Sequence, residues 1–386
     1  MVERATKQMT KLLIVTTIPE TLDFFLPLTD RLRGQGWQVD AMAKQLSTSK
    51  SYLQFFDRVW DVEWSRNPLD PKNLMAAPRQ IQRAFLQEQY DLVNVSTPVA
   101  AFVTRYALNN WRKQGKVKVI YTAQGFHFYK GGTSHTNAIF LGLEKIAGHW
   151  TDYLVVVNRQ DEAAAKRYGL IAGDRVHYIP GTGLNLERFN PHAISETDIS
   201  RVRQELGLTP ENPLFLSVAE FIPRKRPWDI LKALAQLDRP QVHLALAGNG
   251  KIFEEMQQLT SKLGIQKQVH FLGLRRDIPV LMRASAATVI ASSQEGLPNC
   301  VMESLCMEVP VIGTDIRGTR DLLKDGNGLL VKLGDIRGMA QAMAWILDHL
   351  EEAQTMGQRG RKNMVNYDIP HILELYGNLY SEALSH

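Results

Sequence analysis

Residues 286–315 read AATVIASSQEGLPNCVMESLCMEVPVIGTD, and their punctuation decides the fold. A β-rich run ending near Ser293 meets a turn made by Gly296 and Pro298. Leu297, Val301 and Leu305 then recur at helical spacing, and a second apolar run, VPVIGTD, follows. Strand, turn, helix and strand in this order form the crossover unit of a parallel sheet wrapped by helices. The same stretch sets two glutamates eight positions apart, Glu295 in the turn and Glu303 on the helix.

Outward from this unit, short apolar runs recur along the chain. KLLIVTT, WQVDAMA, YDLVNVST, VKVIYTA, TDYLVVVN and RVHYIPG occupy the front half, and PLFLSVAE, VHLALAGNG and QVHFLG precede the quoted stretch. Between the later runs, RPWDILKALAQL and KIFEEMQQLTSKLG carry apolar residues near a 3.6 period, the second stopping at Gly264. Residues 181–198, GTGLNLERFNPHAISETD, break the alternation with Gly, Asn and Pro. The reading is an α/β chain of two doubly wound, Rossmann-like domains, residues 1–185 and 186–365. A C-terminal helix over 366–386 packs back on the first, and a ligand sits beyond the strand ends in the cleft between facing domains.

The 386 residues, 44% hydrophobic and 22% charged, suit two soluble cores, and no window nears the eighteen or so apolar residues of a membrane span. The opening stretch MVERATKQMTKLLIVTTIPE reads as a first strand and not an export signal. Two cysteines, Cys300 and Cys306, give no disulfide framework, so a cytoplasmic location is expected. Residues 1–190 hold 24 Lys and Arg against 17 Asp and Glu, a charge of +7, whereas the remainder holds 21 against 23, or −2. With no Cys/His finger and no RNA-binding aromatic motif, nucleic acid is not an expected partner. An anionic membrane surface or an acidic ligand fits the basic half, which includes WRKQGKVK (111–118) and PRQIQRAF (78–85).

The helix that opens after Pro298 directs the N–H groups of Asn299 and Cys300 toward the ligand end of the sheet, favouring an anion such as a diphosphate. Glu295 and Glu303 lie too far apart to share a proton and so take separate tasks. A carboxylate can accept two hydrogen bonds from a vicinal diol, which suits Glu303 to a ribose and Glu295 to a sugar ring. An isolated glutamate is more often a solvated helix surface, and glycines such as Gly248 and Gly250 in AGNG are more often plain turns.

EGLPNCVME, followed by GTDIRGTRDLL and DGNGLLV, resembles the donor site of glycosyltransferase family 4, retaining enzymes of the GT-B fold with a glutamate pair spaced E-x7-E. The resemblance extends through SVAEFIPRKRPWDILKAL, LALAGNG and HFLG to YTAQGFHFYKGG, which is similar to the branch building capsular, exopolysaccharide and lipid-linked oligosaccharide chains. It implies transfer of a sugar, with retention, from a nucleoside diphosphate sugar, UDP first, to a glycan or polyprenyl diphosphate-linked acceptor at the inner face of the membrane. No cofactor and no metal are expected, and no Asp-x-Asp pair occurs in the chain.

By position, the resemblance assigns Glu303 to the donor ribose, Glu295 to the sugar hydroxyls and Lys225 to the diphosphate. Where relatives carry Gly-Arg-Leu this chain has Ala219-Glu220-Phe221, leaving Arg224 as the nearest second cation. Gly248 and Gly250 would let the backbone approach the nucleotide, and Leu274 and Arg275 match the stretch against which the base lies. In the front domain Gln124 replaces a histidine, and Asn94 and Ser96 stand where histidines are frequent. His127 remains and completes the expected catalytic set with Glu295 and Lys225, while Gln124, Gly125 and Phe126 are expected at the acceptor or cleft; Phe126, Phe128 and Tyr129 fit core or loop packing as well as an acceptor platform. The competing expectations are a nucleotide-sugar 2-epimerase and a noncatalytic GT-B subunit supporting a partner transferase.

Overall fold

The computed structural model describes residues 9–65, 70–129 and 131–386; Lys130 of the YTAQGFHFYKGG stretch and the first eight residues of the opening stretch lie outside them. The chain forms two compact units. The first comprises Met1–Gly183 and Ile369–His386, the second Leu184–Asp368.

In the first unit β1 (Lys11–Val15), β2 (Gln38–Ala43), β3 (Val59–Asp61), β4 (Leu92–Ser96), β5 (Lys118–Ala123), β6 (Tyr153–Val156) and β7 (Val176–Tyr178) form one parallel sheet, ordered 3-2-1-4-5-6-7. These strands read as apolar runs because helices cover both faces of the sheet: all five residues of β4 are buried. The helices used below are α1 (Leu26–Gly34), α2 (Ala77–Glu88), α3 (Pro98–Lys113), α4 (Ser134–Gly148) and α5 (Arg159–Tyr168). The last helix, Ile369–Ser385, belongs to this unit too. Its Ile372, Tyr376, Leu379 and Tyr380 are buried with Leu12 and Ile14 of β1 and Phe25 and Leu28 beside α1. Tyr380 also accepts a hydrogen bond at 2.7 Å from the amide of Asn94, whose carbonyl accepts one from Thr122 at 2.9 Å. Asn94 therefore serves the core, and Ser96 is likewise buried, bonded to the Thr122 carbonyl.

The second unit holds β8 (Leu214–Val218), β9 (His243–Ala247), β10 (Val269–Gly273), β11 (Ala287–Ile290), β12 (Val311–Thr314) and β13 (Gly328–Val331), again parallel, in the order 10-9-8-11-12-13. α6 (Pro227–Leu237), α7 (Phe253–Leu263) and α8 (Asn299–Cys306) match the amphipathic stretches, and α7 ends at Gly264 as its sequence predicts. Each sheet reverses direction once, between β1 and β4 in the first unit and between β8 and β11 in the second. Ligands of doubly wound sheets bind beyond the strand ends at this reversal. The chain enters the second unit at Leu184 and leaves it at Asp368, two residues joined in a parallel bridge, with the Leu184 N–H donating to the Tyr367 carbonyl at 2.8 Å.

Tyr380→Phe keeps the ring but strands the buried Asn94 amide, so it is expected to destabilise the first unit by about 1–3 kcal/mol. Urea unfolding of the variant measures the loss; an unchanged midpoint would show that the hydroxyl does not hold the last helix.

Candidate active site

Two crossover connections flank the reversal of the second sheet. After β8 the chain runs through Ala219-Glu220-Phe221 to a short 3-10 turn, Pro223–Lys225, and into α6. After β11 it runs through Ser292 and Glu295 into α8. Side chain and backbone stitch them together. The Ser293 N–H and hydroxyl both bond the Arg224 carbonyl, at 2.8 and 3.1 Å. Arg224 in turn donates to the Gln294 carbonyl at 2.7 Å and to Glu295 Oε2 at 3.2 Å.

Glu295 is only 8% exposed, and Lys225 Nζ lies 2.6 Å from its Oε1. A carboxylate so withdrawn from water needs a cation and hydrogen bonds in place of its hydration, and Lys225 and Arg224 supply them. Its carbonyl is held as well, by Nε of the buried Arg317 at 3.1 Å. Lys225, assigned from the sequence to a diphosphate, is thus paired with Glu295, assigned to a sugar. The resemblance brought both residues to one site but did not join them.

α8 opens without a side-chain cap. Val301 and Met302 both donate to the Pro298 carbonyl, leaving the Asn299 and Cys300 N–H groups as the open donors of the first turn. The Cys300 thiol is pushed up to about 12 by burial, so it stays neutral. Glu303, further along α8, is half-buried, and its carboxylate makes no hydrogen bond or ion pair with any described residue. Burial raises its pKa, opposed only in part by Arg188.

Gly248 and Gly250 follow β9 with φ of 147° and 158°, and a Cβ on them would fall 2.0 Å from the Ala219 carbonyl and 2.4 Å from the Phe221 carbonyl. The missing side chains make room for this chain's own β8 connection. Leu274 is exposed after β10. Arg275 is held in a fork by Asp277 and Glu205, with contacts from 2.5 to 3.1 Å, so its guanidinium is committed to the fold and only its backbone remains for a base.

In the first unit, Gln124, Gly125, Phe126 and His127 follow β5. Asp161, at the start of α5, bonds the Phe126 N–H at 3.0 Å and the Asn158 amide at 2.9 Å, while its own N–H is capped by Asn158 at 2.8 Å. This Asn-Arg-Gln-Asp capping box anchors the loop and went unremarked in the sequence. Phe126 is buried and stacks on Phe128 at 4.8 Å, so it belongs to the core and not to an acceptor surface, which corrects the expectation. His127 is exposed, its ring 5.0 Å from that of Phe140. The Gln124 amide nitrogen is buried with no hydrogen-bond partner in the protein. Among the described residues no group of three or more His, Cys, Asp or Glu could hold a metal ion.

Residues 198–363 match the family model for glycosyl transferases group 1, and residues 25–188 that for glycosyltransferase family 4. The chain is 33% identical over 362 residues to EpsD of Bacillus subtilis, a protein named as a glycosyltransferase, covering 93% of this chain and 92% of that one. It is 25% identical to an Escherichia coli UDP-Gal:alpha-D-GlcNAc-diphosphoundecaprenol alpha-1,3-galactosyltransferase, over 82% of this chain and 80% of the other. Among solved structures it resembles Anabaena Alr3699/HepE in complex with UDP, with a TM-score of 0.78, 20% identity and coverage of 97% and 100%. It also resembles a sucrose-phosphate synthase from Thermosynechococcus elongatus, with a TM-score of 0.82, 19% identity and coverage of 97% and 99%.

The raised pKa of Glu303 means that the folded chain binds this proton more tightly than the unfolded one. Its ionisation therefore weighs against the fold at neutral pH and ceases to do so as the pH falls below the ordinary glutamate pKa of about 4.3. Glu303→Gln is expected to raise the melting temperature of the ligand-free protein at neutral pH, with the gain shrinking toward zero below about pH 4. Scanning calorimetry across that range checks it, and a loss of stability at neutral pH would contradict the reading of Glu303 as an uncompensated charge.

Proposed function

The chain belongs to the family 4 glycosyltransferases, with the two Rossmann-like domains of the GT-B fold, and from that premise we propose the donor, acceptor and chemistry it uses. The donor is a UDP-sugar, the acceptor a glycan or a polyprenyl diphosphate-linked sugar, and the configuration at the anomeric carbon is retained. The relatives named for a diphosphoundecaprenol substrate and for bound UDP support this choice. The basic front half supports work at the inner face of the membrane.

The observation that carries the reading is the Lys225–Glu295 pair at 2.6 Å, set beside the open first turn of α8 and a partnerless Glu303. A diphosphate at that turn meets the Asn299 and Cys300 N–H groups and competes for Lys225 and Arg224 with more charge than one carboxylate offers. As Lys225 turns to the phosphate, Glu295 is released to accept hydrogen bonds from the donor sugar. Glu303 then receives the ribose hydroxyls, exchanging a poorly compensated burial for two hydrogen bonds. Phosphate charge is met in this way by a lysine, an arginine and backbone donors, which needs no metal and no cofactor.

Retention follows from attack on the face that the leaving group vacates. The acceptor hydroxyl bonds to the anomeric carbon as the bond to the β-phosphate oxygen breaks, and that oxygen keeps the electron pair and takes the acceptor's proton. The protein supplies orientation and stabilises the departing phosphate. His127 and the open Gln124 donor supply hydrogen bonds to the sugar and acceptor; Gln124 cannot act as a base.

Calorimetry with UDP separates the two glutamates. Glu303→Gln is expected to weaken UDP by roughly 1.5–3 kcal/mol. Glu295→Gln, which frees Lys225, should bind UDP at least as tightly as the native protein while turnover falls. Equal loss of UDP in both variants would overturn the division of labour. In the same enzyme, slow release of UDP from a UDP-sugar with the sugar otherwise unchanged supports a transferase. An altered C2 configuration would mean an epimerase, and no reaction at all a noncatalytic subunit.

His127→Ala should lower kcat and leave the affinity for UDP unchanged, because His127 lies in the unit that does not hold Lys225, Glu295 and Glu303. A lowered melting temperature with full activity of the folded fraction would show a purely structural histidine.

A further inference from the structure

α3 and α4 present an outward face that the core does not use. Tyr106 on α3 is 57% exposed, and Ile139 and Ile146 on α4 are 49% and 52% exposed. Trp150, just past α4, joins the two helices: its ring lies 5.3 Å from Phe102 and 5.3 Å from Tyr106. Midway along α4, Phe140 packs partly against the core and lies 5.0 Å from His127, so the helix that carries this face abuts the loop assigned to catalysis. An apolar, aromatic stripe of this kind on a soluble chain marks an interaction surface.

Charge narrows the partner. Residues 92–150 contain seven Lys and Arg and one acidic residue, Glu144; Arg105 is buried against Glu144 and Arg112 is paired with Asp152 at 2.8 Å, so the cations left for a partner are lysines. Glu144 is turned inward, bonding the buried Arg105 and Tyr121, each at 3.1 Å. Lys113, Lys116 and Lys145 are exposed around the stripe. A second copy of the chain meeting this face by a two-fold axis would set like charge against like. An anionic lipid surface meets it with opposite charge, with tryptophan and tyrosine at the height of the headgroups and isoleucines among the first acyl carbons.

We propose that the α3–α4 face is where this protein lies on an anionic bilayer, placing the His127 loop next to acceptors carried in that bilayer. The inference rests on the reading above of a membrane-borne acceptor, but it concerns one face only.

The test is co-sedimentation of the full chain with vesicles of phosphatidylglycerol and phosphatidylcholine, and with phosphatidylcholine alone, at low and high salt. The native protein is expected to bind the anionic vesicles and to be partly released by salt. The triple variant Tyr106→Ser, Ile139→Ser, Ile146→Ser should lose roughly tenfold or more of that binding, since three apolar anchors are removed. Its circular dichroism melt and its release of UDP from UDP-sugar should be unchanged, because all three side chains are exposed. Lys113→Gln with Lys145→Gln should lose mainly the salt-sensitive part. If the native chain ignores anionic vesicles, the membrane reading itself falls. If it binds them and the triple variant binds equally, while Arg79→Ser with Arg83→Ser on α2 does not, this face is wrong and the membrane reading stands. A native dimer that the triple variant turns into a monomer would make the face a self-interface and overturn the proposal.

Discussion

A lysine ammonium 2.6 Å from a buried carboxylate joins the connections after β8 and β11 at the point where the second sheet reverses. Glu295 is too enclosed to be well hydrated, and the ammonium beside it supplies the partner that water does not. Their mutual neutralisation keeps the ligand-free site ordered while leaving it ready for a more highly charged anion. The surrounding contacts serve the same geometry: Ser293 on the Arg224 carbonyl, Arg317 on the Glu295 carbonyl, and the two glycines that admit the β8 connection.

Glu303 shows the opposite arrangement. It lies on α8, is half-buried, and has no hydrogen-bond or ion-pair partner among the described residues, so the folded chain carries a burial penalty that Arg188 offsets only in part. Such a penalty concentrates where a ligand is meant to supply the missing groups. The buried, unpartnered amide of Gln124 is a second open polar group, in the other unit.

The fold was legible because apolar runs and amphipathic stretches alternate on both sides of the break at residues 181–198, and every strand read from such a run is present. β3 and β13, of three and four residues at the sheet edges, are too short to stand out by pattern. The helix start at Asn299 was legible from Gly296 and Pro298. The partners of the site residues were not. Lys225 and Glu295 are 70 residues apart, and Arg317 is 22 from Glu295, so only the folded sheet brings them together. A glycine tells the reader that a Cβ is excluded but not by what, and at Gly248 and Gly250 the answer was a neighbouring carbonyl. Core packing and an acceptor platform were equally open for Phe126, because its stacking on Phe128 is invisible to local pattern.

The last helix has a consequence for how the molecule is made. Residues Ile369–His386 complete the core of the first unit, yet they are synthesised only after the whole of the second unit. Until they arrive, the surface around Leu12, Ile14 and Leu28 lacks Ile372, Leu379 and Tyr380, and Asn94 lacks its hydroxyl partner. A nascent chain on the ribosome can therefore finish its second unit before its first. Completion of the units runs against the order of translation, and the first sheet keeps an open apolar flank until the helix Ile369–Ser385 has been made.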